Sequence, residues 1–347
     1  MEEISAVGLD VAKSVFQVHG ADASGRTVLR RRLKRGEVLR FFGGLRGCLV
    51  GIEACATSHH WGRELRALGH DVRLIPPQYV KPYVRRNKTD AADAAAICEA
   101  LTRPEMRFVS VKSAEQQSAQ ATHRIRELLI GQRTALTNAI RSQLAELGLI
   151  APKGAQNLRK VLALIDDAAV PARLRALLRL LADQVGELTA KLEVCDRQLL
   201  EQHRSSAMSR RLATAPGVGV VLGDGIAASI TNPEDFKSGR HFAAWLGLLP
   251  KQASSGEKKR IGRISKMGNE YLRRLFVSGA LSLIVAARRR PDRASPWLRE
   301  MLARKKPTLV VAVALAHKMA RIAWAMMKRG SDYQPGYRSR PPLAVVA

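Results

Sequence analysis

Two apolar runs near the start of the chain each end on an acid, and this placement limits the possible folds more than any other feature. Residues 4–10 read Ile-Ser-Ala-Val-Gly-Leu-Asp, and residues 48–53 read Cys-Leu-Val-Gly-Ile-Glu. Short apolar runs rich in Val and Ile predict buried strands. Asp10 and Glu53 then stand at strand C-termini, where helix-covered sheets collect their ligands. Residues 14–19 alternate as a second strand, 23–26 (Ala-Ser-Gly-Arg) form a turn, and 27–29 begin a third strand. A helix is predicted through 38–42 and another around 60–65. A strand over 71–75 is stopped by Pro76-Pro77. The order is three strands, helix, strand, helix, strand, helix, which implies a sheet covered by helices.

The last helix of that set is predicted from residue 90. Thr89 is a fair N-cap, and Ala91, Ala92, Ala94, Ala95 and Ala96 favour helix. Asp90 and Asp93 are three apart and share one helical face. Acids in a first turn also complement the helix dipole, and an acid at a strand end is often just solvated. Two adjacent carboxylates repel unless a cation lies between them, and hard oxygen donors suit Mg²⁺ or Mn²⁺. The element order lets Asp10, Glu53, Asp90 and Asp93 meet. It is similar to that of ribonuclease-H-like nucleases.

Charge narrows the partner. Among 347 residues, 58 Lys+Arg face 30 Asp+Glu, for a formal net charge of +28. Such a surplus points to a polyanion, nucleic acid first and a membrane surface second. No apolar run is expected to cross a membrane, and the Met1-Glu2-Glu3 start is unlike a signal peptide, so a cytoplasmic protein is expected. Cys48, Cys55, Cys98 and Cys195 form no CxxC pair, which leaves them as small core residues rather than zinc ligands or disulfides. Aromatic residues make up only 5%, so base stacking is not expected to dominate binding.

The rest of the chain reads as helical. Ser113 with Gln116 forms a capping box for a long helix carrying Ile125, Leu128, Leu129, Leu136, Ile140, Leu144 and Leu147, stopped at Gly148. Pro171 is expected at the first position of the next long helix. Leu174, Leu178, Leu181, Val185, Leu188, Leu192, Cys195 and Leu199 then alternate spacings of four and three, a coiled-coil seam. That seam serves either packing on the preceding helix or self-association. A second globular region starts near Met208. Residues 212–219 (Leu-Ala-Thr-Ala-Pro-Gly-Val-Gly) read as a helix-hairpin-helix turn, in which Gly217 and Gly219 would bring backbone donors to a phosphate, or as a plain helix–helix turn. An apolar segment over 241–250 leads into a glycine-rich basic loop at 251–269 with Lys258, Lys259, Arg260, Arg263 and Lys266, cations suited to phosphates. Helices are expected from Tyr271, around 281–283 and over 309–327, followed by an irregular tail.

Taken in order, Gly8-Leu9-Asp10-Val11-Ala12-Lys13, Ile52-Glu53-Ala54, Asn87-Lys88-Thr89-Asp90-Ala91-Ala92-Asp93, Ala215-Pro216-Gly217-Val218-Gly219 and Leu246-Gly247-Leu248-Leu249-Pro250 through Ser255-Gly256 resemble the DEDD transposases of the insertion-sequence-110 family. The motifs run from about residue 6 to residue 330. The resemblance implies an α/β plus α architecture. Its parts are an N-terminal ribonuclease-H/RuvC-like domain (1–112), a central helical coiled coil (113–205), a mainly helical C-terminal transposase domain (206–332) and a tail (333–347). It implies a recombinase that acts on donor and target DNA, guided by a bridge RNA, working as a dimer to tetramer away from membranes. Asp10, Glu53, Asp90 and Asp93 would hold Mg²⁺ (or Mn²⁺), and Lys88 would lie against nucleic acid. Ser255, directly before Gly256, would attack the scissile phosphate and form a phosphoserine link, with Ser254 the alternative nucleophile and Ser265 a third.

Serine is a poor nucleophile and needs activation, which a metal or a base can supply. Two other readings stay open at the level of sequence. One is a metal-only nuclease or Holliday-junction resolvase, in which water attacks and the serines bind phosphate. The other is a non-catalytic nucleic-acid-binding protein with structural acids.

Overall fold

The computed structural model describes residues 4–84, 89–252 and 261–335. The chain divides into two compact units, 1–117 with 230–237, and 118–229 with 238–347.

The first unit is built on a five-stranded sheet of β1 (Ala6–Asp10), β2 (Val15–Ala21), β3 (Thr27–Lys34), β4 (Leu49–Glu53) and β5 (Asp71–Ile75). The strand order is β3-β2-β1-β4-β5, with β1–β2 and β2–β3 antiparallel and β1–β4 and β4–β5 parallel. Helices α1 (Val38–Gly43), α2 (Ser58–Ala67), α3 (Pro77–Val80) and α4 (Asp90–Leu101) complete it. Strand alternation sorts the side chains between two cores. Val7, Leu9, Phe16, Val18, Val50 and Ile52 join Val38, Phe42, Trp61 and Leu65 on one face. Ala6, Ala21 and Ile75 join Ala96, Ile97, Cys98 and Leu101 of α4 on the other. A later segment, Ile230–Lys237, also belongs to this unit: Ser110 Oγ donates to Asp235 Oδ2 at 2.7 Å, and Lys237 Nζ lies 4.0 Å from Glu105.

The second unit is helical. Its long helices are α5 (Ala114–Ala145) and α7 (Ala172–Ser205), with the short α6 (Leu158–Ala163) between them in sequence. The capping box forms at the start of α5: Ser113 Oγ accepts from Gln116 N and Gln116 Oε1 from Ser113 N, both at 3.1 Å. The two long helices run antiparallel. Gln202 bonds Thr122, Arg126 pairs with Asp196, and Ile140 and Leu144 share a core with Leu178, Val185 and Val161. The four-three seam of α7 is therefore a buried stripe within one chain, at least over its first half. Ile125, Leu128, Leu177, Leu180 and Val194 remain exposed.

Beyond them come α8 (Ala207–Ala213), α9 (Val220–Ser229), α10 (Gly239–Trp245), the paired strands β6 (Pro250–Gln252) and β7 (Ile261–Ile264), α11 (Glu270–Arg289), α12 (Pro296–Ala303) and α13 (Thr308–Arg329).

Five expectations need correction. Pro171 is the N-cap of α7, not its first helical residue, because its ψ of 141° is extended. Residues 281–283 are no separate helix: α11 runs unbroken from Glu270 to Arg289. Residues 250–252 and 261–264 of the supposed loop pair as antiparallel strands. Cys55 is exposed, whereas Cys48, Cys98 and Cys195 are buried. Finally, α13 is long and apolar enough, by length and composition, to cross a membrane. Here it is a core helix, with Val311, Leu315, Met319, Ala323 and Met326 buried against α10 and α11.

Candidate functional site

Register puts Asp10 and Glu53 side by side. Leu9 pairs with Ile52 across parallel strands, so the next residue of each strand is an acid. Asp10 alternates with Ala6 and Gly8, and Glu53 with Gly51, so both acids share the α4 face. Two glycines let α4 settle there. A methyl group on Gly8 would lie 2.1 Å from the Ala94 carbonyl oxygen and 2.5 Å from Cys98 N, and one on Gly51 would crowd Leu101 and Ile97 at 3.1 and 3.2 Å. Gly8 and Gly51 are cross-strand partners. The pair makes a flat spot in the sheet under α4. Thr89 starts that helix as expected, its Oγ1 accepting from Ala92 N at 3.2 Å.

The result is a cluster of carboxylates. Oxygens of Asp10, Asp90 and Asp93 all lie within 4.8 Å of one another. Burial, with the negative charges of Asp93, Asp90 and Glu53, pushes the Asp10 pKa up to about 6. Glu53 is close enough to act on Asp10 but stands outside the three-residue group. A proton on Asp10 relieves the same repulsion that a cation would. The donors are all hard carboxylate oxygens, with no His or Cys among them, and this set fits a hard divalent cation such as Mg²⁺ or Mn²⁺.

In the second unit, the β6–β7 pair brackets residues 253–260, and its base is firmly pinned. Gly247 and Gly268 both adopt positive φ (+72° and +81°). A methyl on Gly247 would lie 2.2 Å from Met267 O, and one on Gly268 1.8 Å from Trp245 O. The buried Arg273 of α11 donates through Nη1 to Leu246 O (3.0 Å) and Met267 O (3.3 Å). Asn269 caps α11 through Oδ1 and Leu272 N at 3.0 Å. Arg263 and Lys266 are exposed beside this base, Lys266 at φ +56°. The Ser265 hydroxyl accepts from Met267 N at 3.4 Å, so it serves the turn.

Ser254, Ser255, Lys258, Lys259 and Arg260, like Lys88, lie outside the described residues. The turn between α8 and α9 is present, with Gly217 at φ +79°. Gly217 is packed rather than open: a methyl there would meet Met319 and Leu283 at 2.7 and 2.8 Å. Gly219 is exposed, with nothing within 4 Å of its added carbon.

Sequence reasoning missed a buried polar triad in this unit. His123 bonds the Tyr271 hydroxyl through Nδ1 at 2.7 Å and Asp224 Oδ2 through Nε2 at 2.9 Å. Burial raises the Tyr271 pKa to about 12, so its hydroxyl stays protonated. The three residues come from α5, α9 and α11, and no local pattern in the sequence joins them.

Comparison with known proteins shows the family of the chain that carries this geometry. The family profile of DEDD, IS110-type proteins, described as "Transposase", matches residues 7–148, which hold all four acids. The profile of the "Transposase IS116/IS110/IS902 family" matches residues 209–297, which hold the hairpin. The chain is 48% identical over 337 residues to a "Probable family 20 transposase" of Pseudomonas aeruginosa, covering 96% of this chain and 99% of that protein. It is 37% identical over 340 residues to the "Transposase for insertion sequence element IS1111A" of Coxiella burnetii (97% and 93% covered). To the "Transposase for insertion sequence element IS1328" of Yersinia enterocolitica it is 35% identical over 333 residues (96% and 99%). The carboxylate cluster and the pinned hairpin thus sit on a chain that belongs to the IS116/IS110/IS902 family of transposases, enzymes that act on DNA.

Proposed function

We propose that this chain is the recombinase of an insertion sequence, cutting and rejoining donor and target DNA at sites chosen by a bridge RNA. The observation that carries the catalytic half is the meeting of Asp10, Asp90 and Asp93 within 4.8 Å, beside Glu53. Asp10, Glu53, Asp90 and Asp93 would hold Mg²⁺, which when bound supplies charge stabilisation to a reacting phosphate. Burial and the charges of Asp93, Asp90 and Glu53 raise the Asp10 pKa to about 6, a repulsion that a bound cation would relieve, and the glycine pair under α4 keeps the acids at working distance.

The nucleophile in this reading is Ser255, in the stretch between β6 and β7. Its Oγ forms a bond to phosphorus as one sugar oxygen leaves, and the hydroxyl proton passes to solvent or a nearby base. The phosphoserine bond conserves the energy needed to rejoin a second DNA end. Arg273, Gly247 and Gly268 hold the hairpin base so that the serine is presented from a fixed frame, with Arg263, Lys266 and the cations at 258–260 against phosphates. Gly219, rather than Gly217, offers the open backbone of the α8–α9 turn. The ribonuclease-H/RuvC-like description of the first unit rests on its strand order and on its acids. The domain limits 1–112, 113–205, 206–332 and 333–347 belong to the same proposal, as does a dimer to tetramer. The exposed Ile125, Leu128, Leu177, Leu180 and Val194 on the long helices favour self-association.

The test is a denaturing gel of the full chain with its RNA, labelled DNA and Mg²⁺. Wild type should give a slow DNA–protein adduct that Ser255→Ala abolishes and Ser254→Ala retains. Cleaved DNA without any adduct would move the reading to a metal-only nuclease. No breakage with intact RNA and both DNAs would leave only a binding protein.

A further inference from the structure

The α4 face of the sheet is only partly covered. Helix α4 packs on β1, β2 and β4, and its small side chains leave a cleft of about 860 Å³ towards β3. Gln17, His19 and Arg30 line the sheet wall, and Ala92, Ala95 and Glu99 line the helix wall. Register ties this cleft to the acids. Asp10 pairs with Gln17, and Gln17 pairs with Arg32, so the three stand in one row across β1, β2 and β3. In the next row, Gly8 pairs with His19, and His19 with Arg30. Cross-strand partners share a face. Arg30 and Arg32 therefore point to the same side of the sheet as Asp10.

Both arginines are exposed, and neither makes an ion pair among the described residues. The acids on the cleft wall are already satisfied: Glu99 binds Arg103 at 2.6 Å, and Asp22 binds Arg26 at 3.1 Å. Arg30 stands beside His19 by register, and burial together with the Arg30 guanidinium lowers the His19 pKa below its ordinary 6.5. Arg30 in the cleft lining, with Arg32 in the neighbouring row outside it, thus offers unspent positive charge, with the hydrogen-bonding side chains of Gln17 and His19 between it and the carboxylates.

Neighbouring strands lie about 4.8 Å apart, so the β3 arginines stand roughly 10 Å from the β1 acid. A DNA strand carries a phosphate about every 3.4 Å of duplex axis, so a strand crossing that distance presents about three. We propose that Arg30 and Arg32, with Gln17, form a phosphate-binding strip that holds the DNA strand next to the phosphodiester placed at Asp10, Asp90 and Asp93. This rests on the reading of the first unit as the DNA-cutting unit. The carboxylates repel a DNA backbone, and the strip supplies the compensating attraction on one side only. It therefore sets the direction in which the strand leaves the acids.

The test uses the full chain and two readouts that do not need cleavage. First, DNA affinity is measured against KCl concentration for wild type, the Arg30→Gln/Arg32→Gln double variant and Arg40→Gln. Arg40 lies on α1, which packs on the opposite face. Loss of two phosphate contacts should lower the slope of log affinity against log salt by about 1.5 to 2, and Arg40→Gln should leave it unchanged. Second, DNA carrying 4-thiothymine near the cut site is photocrosslinked and the adduct mapped by mass spectrometry, with an RNA strand of the same sequence run in parallel. Crosslinks from DNA to the peptide spanning 27–34 support the strip. An unchanged slope, crosslinks elsewhere, or crosslinks to this peptide from RNA alone would overturn it. The two ideas fail separately. A strip that crosslinks in a protein unable to cut DNA with Mg²⁺ would sink the cutting reading and leave the strip. Normal cutting by the double variant, with an unchanged slope, would sink the strip alone.

Discussion

Removing the Asp10 charge should stabilise the metal-free protein and abolish its response to Mg²⁺. The Asp10 pKa is raised from 3.8 to about 6 by burial and by Asp93, Asp90 and Glu53. A folded-state pKa above the unfolded value means that folding favours the protonated form. That contribution is fully present below about pH 3.8 and is lost as pH rises through 6, so at pH 7.5 the ionised carboxylate is a net cost. A shift of about two units corresponds to roughly 3 kcal/mol. Asp10 is only half-buried, and screening by water brings this to about 1–1.5 kcal/mol. At about 2–4 °C per kcal/mol, Asp10→Asn should raise the melting temperature in EDTA at pH 7.5 by about 3–5 °C. At pH 4 the gap should shrink towards zero, because wild-type Asp10 is then mostly protonated. In 10 mM Mg²⁺ at pH 7.5 the order should invert, with wild type gaining stability by binding and the variant gaining little. Scanning calorimetry of both proteins under the three conditions decides it. A variant less stable than wild type in EDTA at pH 7.5, or an equal Mg²⁺ gain in both, would refute the account of the cluster as a cation site.

Gly8→Ala should lower stability by about 3 kcal/mol, the upper end for overpacking, because the clash at 2.1 Å is with backbone rather than a movable side chain. It should also blunt the Mg²⁺-induced rise in melting temperature by pushing α4 off the sheet. Urea titration and the metal shift measure the two effects, and a variant that keeps both would show that close contact of α4 with β1 is not what assembles the acids. His123→Ala should cost about 3–5 kcal/mol by stranding the buried Asp224, against about 1 kcal/mol for Tyr271→Phe, which removes one neutral hydrogen bond. Equal and small losses in denaturant melts would show that Asp224 finds water or another donor.

The candidate site was legible where its residues obeyed a short period. Asp10 and Glu53 could be read because two apolar strands end on them, and Asp90 and Asp93 because Thr89 caps an alanine-rich helix. What brings them together could not be read. Gly8 and Gly51 matter because they face each other across parallel strands and both face α4, which is a property of the register. The β6–β7 pair was hidden because its strands are three and four residues long, with β6 fully exposed and neither bearing a clean apolar alternation. Residues 281–283 looked like a fresh helix only because apolar residues recur there, yet no proline breaks α11 between 270 and 289. His123, Asp224 and Tyr271 are polar residues more than a hundred or nearly fifty positions apart. Their union is decided by helix packing, to which a window along the chain is blind.

The return of Ile230–Lys237 to the first unit has a consequence for how the protein is made. The segment closing that unit is synthesised only after all of 118–229, on the order of ten seconds after residue 117 at a ribosomal pace of about 5–20 residues per second. During that interval Ser110 and Glu105 wait for partners that have not yet been translated. A ribosome that stalls, or a message cut short, before codon 237 releases the four acids on a sheet whose last fastening is missing. Completion of the first unit is thereby tied to production of half of the helical unit, so that truncated products of the element do not carry a finished first unit on their own.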